Sequence, residues 1–278
     1  MRKNRLVAPV VKWVGGKRQL LDDLTPLFPK KISSYCEPFL GGGAVLFRLQ
    51  PKIAHVNDIN SELIQMYEVI RDNVEDLIIA LSEHPNEEEH FYNVRDWDRN
   101  KEKYMQLSKI QKAARIIYLN KTCYNGLFRV NNAGEFNTPF GHYKNPNIVN
   151  SPTLKAVSAY LQQSQITFSN IDYEKILANI TKGTFVYLDP PYDPVSDTSN
   201  FTGYAKGGFD RSEQIRLRHC CDELNRRGIK FMLSNSATDF IKEQYAAYNI
   251  TIVKAKRAIN SNATKRGQIN EVVVRNYE

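Results

Sequence analysis

The stretch Thr184-Phe-Val-Tyr-Leu-Asp-Pro-Pro-Tyr192 joins a short apolar run to a proline-rich tetrapeptide. The run is typical of a buried strand, and open α/β sheets bind ligands at the carboxyl ends of their strands. At such a position Asp189 can accept a hydrogen bond from an exocyclic amine, and the carbonyl of Pro190 can accept another. Tyr192 can stack on a planar base, and Pro191 helps to fix the backbone. The alternatives are a rigid Pro-Pro turn and a PPxY-like ligand for a small recognition domain.

A glycine-rich turn follows the first predicted strand, in Glu37-Pro-Phe-Leu-Gly-Gly-Gly43. Glycines such as Gly41 and Gly43 let the backbone turn tightly and approach a ligand closely. The helix that starts at Ala44 favours negative charge at its N-terminus, such as a cofactor carboxylate. A dinucleotide would also suit this turn, but the spacing is not GxGxxG and no Walker-type Gly-Lys-Ser/Thr is present.

Two aspartates and a tryptophan extend this set of candidate residues. Asp58 ends the second predicted strand and is placed to hold ribose hydroxyls, and Asp172 follows the third and can meet the adenine of the same nucleoside. Each aspartate is also suited to cap a helix. In Lys12-Trp-Val-Gly-Gly-Lys-Arg18, Trp13 can close a nucleoside pocket, although a basic loop before a helix has a similar composition.

Short apolar segments that end in Asp, Asn or Gly predict seven strands, at residues 35–39, 53–57, 165–169, 185–189, 230–235, 250–256 and 271–276. Helical patterns occupy residues 17–28, 44–49, 61–73, 74–83, 211–227 and 237–248. This alternation predicts an α/β domain with a mostly parallel sheet. The last two strands leave no room for a helix between them, so we expect an antiparallel hairpin there.

The segment 61–162 breaks the alternation. It is helical or turn-rich and contains no convincing strand beyond a hairpin near residues 128–136. We therefore predict a mainly helical domain at 61–162, inserted into a catalytic domain that comprises residues 1–60 and 163–278.

The charge pattern indicates a polyanionic partner. The chain carries a net charge of +8, and residues 95–144 hold ten Lys or Arg against four acids. Residues 254–266 hold five basic residues and no acid. Basic runs also occur on ordinary solvated surfaces, so the pattern by itself only favours nucleic acid.

Other features of the composition exclude several classes of protein. Hydrophobic residues make up 42% of the 278 residues, and no apolar run reaches the length of a membrane span or a signal-peptide core. The cysteines show neither CxxC spacing nor nearby histidines, so we predict no disulfide framework and no metal site. They are Cys36, Cys123, Cys220 and Cys221.

Taken together, the motifs resemble those of the Dam-type, α-group DNA adenine-N6 methyltransferases, which include the GATC-specific enzymes. The matching segments are residues 12–17, 37–43, 57–60, 124–131, 134–144, 189–192 and 200–204. The resemblance implies a Rossmann-like, seven-stranded S-adenosylmethionine methyltransferase sheet with an inserted target-recognition domain that carries a β-hairpin. It also implies transfer of a methyl group to adenine N6 in double-stranded DNA, within GATC and with base flipping.

The resemblance also implies roles for individual residues. Catalysis is assigned to Asp189, Pro190, Pro191 and Tyr192. For the cofactor, the resemblance implies contacts at Trp13, Lys17, Asp58 and Asp189. The glycine-rich turn and the third strand end add Glu37, Phe39, Gly41, Gly43 and Asp172 to the expected cofactor residues. In the inserted segment, Arg129 and Lys12 would each read a guanine, Leu127 and Pro139 would pack against thymine methyls, and Tyr124 would wedge into the base stack. Asn125 and Tyr143 would contact the DNA backbone or orient the hairpin.

Two positions depart from the family pattern. The third-strand motif is Ser169-Asn-Ile-Asp172 where relatives often have Gly-Asp-aromatic, and His142 stands where an arginine is common. We expect a monomeric, cytoplasmic enzyme of bacterial, archaeal or phage origin. It would bind no membrane. The sequence leaves three roles open: functional pairing with a restriction endonuclease without a stable complex, a phage role, and a host maintenance role.

A longer site such as GATATC stays open as an alternative, because related enzymes that read longer sites share much of the hairpin. RNA adenine would use the same chemistry, but a hairpin that resembles a duplex reader argues against it. An enzyme that methylates protein amide nitrogen shares the tetrapeptide but has no use for a hairpin that reads duplex DNA. A dinucleotide-dependent oxidoreductase leaves the tetrapeptide without a purpose. An inactive DNA-binding module would be expected to have damaged cofactor motifs, which are intact here.

Overall fold

The computed structural model describes residues 3–195, 208–256 and 268–278. Seven strands form one sheet: β1 (Ser34–Glu37), β2 (Ile53–Asn57), β3 (Gln165–Ser169), β4 (Thr184–Leu188), β5 (Lys230–Ser236), β6 (Asn249–Lys256) and β7 (Gln268–Arg275). Their order across the sheet is β3-β2-β1-β4-β5-β7-β6. The predicted α/β fold with a seven-stranded sheet is therefore confirmed.

The directions of the strands locate the ligand-binding edge of the sheet. β1 pairs in parallel with β2 and with β4, and β4 pairs in parallel with β5. β7 runs antiparallel to both β5 and β6, which confirms the predicted terminal hairpin. The chain order reverses between β1 and β4, and open sheets bind ligands at such a switch point. The loops that begin at Pro38 and Asp189 leave the sheet there.

Eleven α-helices lie among the described residues. They are α1 (Leu21–Leu24), α2 (Ala44–Leu49), α3 (Ser61–Asp72), α4 (Val74–Ser82), α5 (Glu88–Arg95), α6 (Lys101–Gln106), α7 (Lys109–Thr122), α8 (Ser151–Gln163), α9 (Tyr173–Asn179), α10 (Arg211–Arg226) and α11 (Asp239–Gln244). The single helix predicted over 17–28 is wrong, because 3-10 turns at Lys17–Gln19 and Thr25–Leu27 flank a short α1. Pro26, which has no N–H, prevents the α-helix from continuing.

The chain folds into two compact units, each with most of its contacts within itself. Unit 1 comprises Met1–Gly16, Gly41–Gln50 and Asn60–Phe168. Unit 2 comprises Lys17–Leu40, Pro51–Ile59 and Ser169–Glu278. Helices α3 to α8 lie in unit 1, so the segment between the second and third strands is mainly helical, as predicted. The predicted functional domains at 1–60, 61–162 and 163–278 stay a prediction.

Unit 1 is built around α7. The helix begins at Ser108 with a capping box completed by Gln111, and nine of its 14 residues are buried. The hairpin predicted near residues 128–136 takes the form of two isolated antiparallel bridges, Val130 with Phe136 and Cys123 with Phe140.

Unit 2 has one apolar core between its strands and helices. Its buried residues on β4, β5, β7 and α10 are Val186, Leu188, Phe231, Leu233, Val272, Val274, Leu217, Cys221 and Leu224. Among the described residues, no helix combines the length and the apolar character that crossing a membrane requires. All four cysteines are free thiols; Cys220 is half-buried and the other three are buried.

Candidate functional site

An ion pair lies at the carboxyl end of β4, in unit 2. Asp189 directly follows the strand, and its Oδ1 is 2.8 Å from the Nζ of Lys17. The side chain of Lys17 is 4% exposed and that of Asp189 is 18% exposed, so little water screens the pair. Burial raises the pKa of Asp189 to about 6, although the Lys17 ammonium acts in the opposite direction. Above that pH the group is a partly shielded carboxylate, which only accepts hydrogen bonds.

The Tyr192 side chain is held at its hydroxyl and over its ring. Its hydroxyl donates to Glu271 Oε2 on β7 at 2.7 Å, and the Lys17 ammonium lies 4.6 Å from the centroid of its ring. Burial, followed by the nearby carboxylates of Asp189 and Glu271, raises the pKa of Tyr192 well above its ordinary value. The hydroxyl therefore stays protonated and remains a donor, which holds the ring in one orientation.

The turns after β1, β2 and β3 are tied together by one buried amide, Asn57. Its Nδ2 donates to the carbonyls of Pro38 and Ile171, both at 3.0 Å. Its Oδ1 accepts from the backbone N–H of Ile171 and from the hydroxyl of Ser169, again at 3.0 Å. Four hydrogen bonds on one side chain make these turns a single rigid edge, beside which Asp58 lies half-buried.

The other predicted cofactor residues of unit 2 lie at the same edge. Glu37 is 2% exposed and accepts a hydrogen bond from the hydroxyl of Tyr35 at 2.8 Å. Phe39 packs against Tyr173, with ring centroids 5.1 Å apart. Asp172 caps α9 by accepting from the backbone N–H of Glu174. The capping role considered for Asp172 is thus confirmed, whereas Asn60 and not Asp58 caps α3.

In unit 1 the glycine turn packs against Trp13. Gly41 and Gly43 have φ of 49° and 67°, the left-handed region that favours glycine. A Cβ at Gly41 would lie 3.0 Å from Trp13 Cδ1, and one at Gly43 would lie 2.9 Å from Phe47 Cε2. The indole also stacks on Phe128 at 4.6 Å. Glycine is required here because the aromatic side chains come so close to the backbone.

A second buried amide, Asn120, fixes the backbone around Lys12. The Asn120 side chain accepts from the N–H of Lys12 and donates to its carbonyl, both at 2.7 Å. It also donates to the carbonyl of Gly126 at 3.1 Å, so Lys12 lies beside the turn Tyr124–Gly126. Within this turn Asn125 has φ of 57°, and the side chain of Tyr124 is 56% exposed.

Arg129 lies on the bridged segment that follows, and its guanidinium is oriented by Asn137. Arg129 Nε donates to Asn137 Oδ1 at 2.7 Å, and the Arg129 carbonyl accepts from the Asn137 N–H at 3.0 Å. Leu127, half-buried, accepts from the hydroxyl of Thr138 through its carbonyl at 2.6 Å.

A largely buried ion pair holds the backbone of Phe136, which lies between Arg129 and Asn137. Arg115 on α7 lies 2.6 Å from Asp98 Oδ2, and the same oxygen accepts from the N–H of Phe136 at 2.8 Å. Arg99 pairs with Asp98 and donates to the carbonyl of Phe136 at 2.7 Å. Both backbone polar groups of Phe136 are thereby held by side chains outside the segment.

Pro139 and Tyr143 complete the predicted DNA-binding set. Pro139 is exposed, and its carbonyl accepts from the Tyr124 N–H at 2.8 Å. The carbonyl of Tyr143 accepts from Asn86 Nδ2 at 2.7 Å. Unit 1 thus brings Lys12, Tyr124, Asn125, Leu127, Arg129, Pro139 and Tyr143 onto adjoining turns, and its hydrogen bonds fix their backbone.

Comparison with known proteins identifies the family. The model of the D12 class of N6 adenine-specific DNA methyltransferases matches residues 13–259. This chain belongs to that class. The chain is therefore an enzyme that methylates adenine N6 in DNA, which agrees with a sheet whose ligand-binding edge carries a carboxylate and two prolines.

Individual relatives match over the whole chain. The type II methyltransferase M1.LlaDCHI of Lactococcus lactis subsp. cremoris is 42% identical over 100% of this chain and 98% of its own length. The type II methyltransferase M.MjaIII of Methanocaldococcus jannaschii is 43% identical over 98% of this chain and 99% of its own length. A DNA adenine methylase of Serratia marcescens is 33% identical over 98% of both chains.

Several residues that organise the site are absent from the sequence-based set. Asn57 is the first residue of the matching segment 57–60, but no role is assigned to it there. Asn120 and Glu271 are single polar residues with no motif of their own, one buried on α7 and the other within β7. The segment 200–204, which contributes to the resemblance, lies outside the described residues.

Proposed function

We propose that this D12-class enzyme transfers the methyl group of S-adenosylmethionine to adenine N6 within GATC in double-stranded DNA, acting as a monomer. The observation that carries the proposal is the shielded carboxylate of Asp189, paired with Lys17 at 2.8 Å and followed by Pro190 and Pro191. A carboxylate and a fixed carbonyl are two acceptors, which match the two N–H groups of an adenine amine.

Catalysis in this proposal depends mainly on positioning and electrostatics. Asp189 and the carbonyl of Pro190 accept the two amine hydrogens, which draws the nitrogen towards tetrahedral geometry and directs its lone pair at the methyl group. No strong base is needed before attack, because the amine becomes acidic only once it is methylated. With a pKa of about 6, Asp189 is suited to accept the released proton.

The target base leaves the helix in this proposal, because N6 cannot be approached in line inside a duplex. Tyr192 supplies the stacking surface, and its hydroxyl bond to Glu271 supports a ring that is already in place before the base arrives. Tyr124, 56% exposed, takes the space of the extruded adenine.

The residues present fit S-adenosylmethionine. The half-buried carboxylate of Asp58 suits ribose hydroxyls, and the left-handed φ of Gly41 and Gly43 suits close approach of a ligand to the backbone. The proposed cofactor residues are Trp13, Lys17, Glu37, Phe39, Gly41, Gly43, Asp58, Asp172 and Asp189. When bound, the cofactor supplies an electrophilic methyl group.

Sequence reading is assigned to unit 1. Arg129, whose guanidinium is oriented by Asn137, presents a fork of donors suited to the O6 and N7 of guanine. Lys12 would bind the other guanine, and Leu127 and Pro139 the thymine methyls. Asn125 and Tyr143 would contact the backbone. The names of the two type II relatives support a functional pairing with a restriction endonuclease.

The test is transfer of labelled methyl groups to three duplexes of equal length, containing GATC, GATATC or neither. Label confined to the GATC duplex and recovered as N6-methyladenine supports the proposal. Label only in the GATATC duplex keeps the chemistry and contradicts GATC as the recognition site. Label in none of the duplexes, with cofactor still bound, contradicts both GATC and GATATC as the recognition site.

Base extrusion has a separate test. A 2-aminopurine at the target adenine becomes fluorescent when it leaves the stack, and we expect a rise on binding that is smaller in Tyr124→Ala. An unchanged low signal with the wild-type enzyme bound would contradict extrusion.

A further inference from the structure

Two buried amides lie behind the tetrapeptide in unit 2. Gln214 on α10 is 1% exposed and Asn235 on β5 is fully buried. Gln214 Nε2 donates to the carbonyl of Pro191 at 2.8 Å, and its Oε1 accepts from Asn235 Nδ2 at 3.0 Å. Asn235 Oδ1 accepts from the backbone N–H of Asp193 at 3.1 Å. The two backbone groups that these amides bind flank Tyr192 on either side.

The direction of this chain of hydrogen bonds is fixed at one end. Asn235 Oδ1 accepts from the N–H of Ser236 as well as from that of Asp193, so the amide nitrogen must face Gln214. Gln214 must then present its oxygen to Asn235 and its nitrogen to Pro191. Each amide therefore has one allowed orientation, and both of its ends are used.

Asp193 is held further by its own side chain and carbonyl. Its carboxylate accepts from Thr238 Oγ1 at 2.7 Å and pairs with Arg211 Nε at 3.1 Å. Its carbonyl accepts from the hydroxyl of Ser236 at 2.6 Å. The N–H, the carbonyl and the carboxylate of Asp193 are thus all held, which restricts movement of the backbone at Tyr192.

We propose that Gln214 and Asn235 are positioning residues for methyl transfer, which set the carbonyl of Pro190 and the ring of Tyr192 through the backbone on both sides. This inference rests on the proposed role of residues 189–192. Apolar side chains could fill the same space without the cost of burying amides. The amides supply directional bonds to a catalytic loop, which apolar packing does not.

Two isosteric substitutions break the hydrogen bond from Gln214 to the carbonyl of Pro191. Gln214→Glu keeps the acceptor for Asn235 but places an oxygen against the carbonyl of Pro191. Asn235→Asp keeps the acceptor for Asp193 but removes the donor to Gln214, whose amide then turns and also presents oxygen to Pro191. Gln214→Met is the uncharged counterpart, which also removes the bond to Pro191. Because it buries no charge, this variant should destabilise the fold less than the other two.

We expect each variant to lower kcat by roughly 10- to 100-fold, the cost of a small misplacement of reacting groups, with KM for DNA and cofactor changed less than about twofold. Gln163→Glu on α8 and Asn179→Asp on α9 make the same chemical changes at exposed positions and should keep the wild-type kcat. A fall in kcat without a change in KM separates positioning from a general loss of structure.

A pH series adds a readout that a purely structural role would not move. In Gln214→Glu the buried carboxyl group titrates at raised pH, and its protonated form regains an O–H donor for Pro191. The nearest charged groups bonded to this network are Asp193 and Arg211, which already pair with each other. The ratio of variant to wild-type kcat should rise as the pH falls from about 8 to about 6. Gln214→Met should show no such rise.

Several outcomes would overturn the inference. Wild-type kcat in folded Gln214→Met or Asn235→Asp would do so, as would an effect confined to KM. An Asp189→Ala enzyme that stays active would instead refute the proposed catalytic role itself. Loss of activity in Asp189→Ala together with full activity in the Gln214 variants would refute the positioning role of Gln214 and Asn235 alone.

Discussion

The ammonium of Lys17 lies 2.8 Å from Asp189 Oδ1 and 4.6 Å from the centroid of the Tyr192 ring. One buried cation therefore contacts both the carboxylate that we assign to the amine and the ring that we assign to the base. Their relative positions depend on this cation, on the hydroxyl bond to Glu271 and on the two amides behind the loop.

Removing the carboxylate should separate binding from turnover. Asp189→Ala loses one of the two proposed acceptors for the amine, so we expect a fall in kcat of roughly 100-fold or more. DNA affinity should stay near the wild-type value, because the residues assigned to reading DNA lie in unit 1. Single-turnover rates and fluorescence anisotropy of labelled duplex measure the two quantities. A weaker DNA complex with unchanged single-turnover rate would contradict the assignment.

The rate should depend on the ionisation of Asp189. Its pKa of about 6 lies above the ordinary value because burial disfavours the charged form, so the carboxylate is lost as the pH falls through about 6. We therefore expect an acidic limb in the profile of kcat against pH with a midpoint near 6. Lys17→Met removes the cation that lowers this pKa, which should move the limb to higher pH. A limb that moves to lower pH in that variant would refute the ion pair's role.

The ion pair between Arg115 and Asp98, which holds the backbone of Phe136, should control site discrimination. Asp98→Ala leaves Arg115 charged and unpaired, which we expect to lower the free energy of unfolding by about 3–5 kcal/mol. It should also reduce the ratio of methylation at the enzyme's own site to that at single-base variants, because the N–H of Phe136 loses its acceptor and Arg99 loses its pairing with the Asp98 carboxylate. Asp96 lies two residues away and is 49% exposed. Asp96→Ala is therefore the matched control. Equal stability and discrimination in the two variants would contradict the prediction.

Asn57 should be required for both stability and cofactor binding. Asn57→Ala removes the partner of the Pro38 carbonyl, which is buried, and of the N–H and carbonyl of Ile171, at a cost of about 1–3 kcal/mol. The turns around Asp58 should loosen and raise KM for the cofactor, while Asn179→Ala on the exposed face of α9 should change neither quantity. Chemical denaturation and steady-state kinetics provide the measurements. An unchanged KM in a destabilised Asn57→Ala enzyme would limit the residue to a structural role.

Most of the sheet is predictable from the sequence because its buried strands are short apolar runs that end in Asp or Asn. β2 and β3 have the predicted bounds, and the others shift by at most a few residues. The helices are less predictable where proline intervenes, as at Pro26, or where the helix is short. α9, seven residues long with three of them buried, has no counterpart among the predicted helices.

The site is predictable only where several residues act as one motif. Asp189 stands beside two prolines at a strand end, so the chemistry can be inferred before the fold is seen. Gln214, Asn235 and Asn57 contribute through partners far away in sequence, and nothing near them in the chain indicates those partners. Their roles emerge from the hydrogen bonds, which require the folded structure.

The central claim is that the Asp189 site methylates adenine N6 within GATC. The most direct measurement is base-resolved mapping of N6-methyladenine in the DNA of a host without adenine methylation that expresses the wild-type enzyme or Asp189→Ala. We predict modification at GATC and at no other motif with the wild-type enzyme, and none with the variant. Modification at a different motif, or at GATC in cells that express Asp189→Ala, would contradict the account.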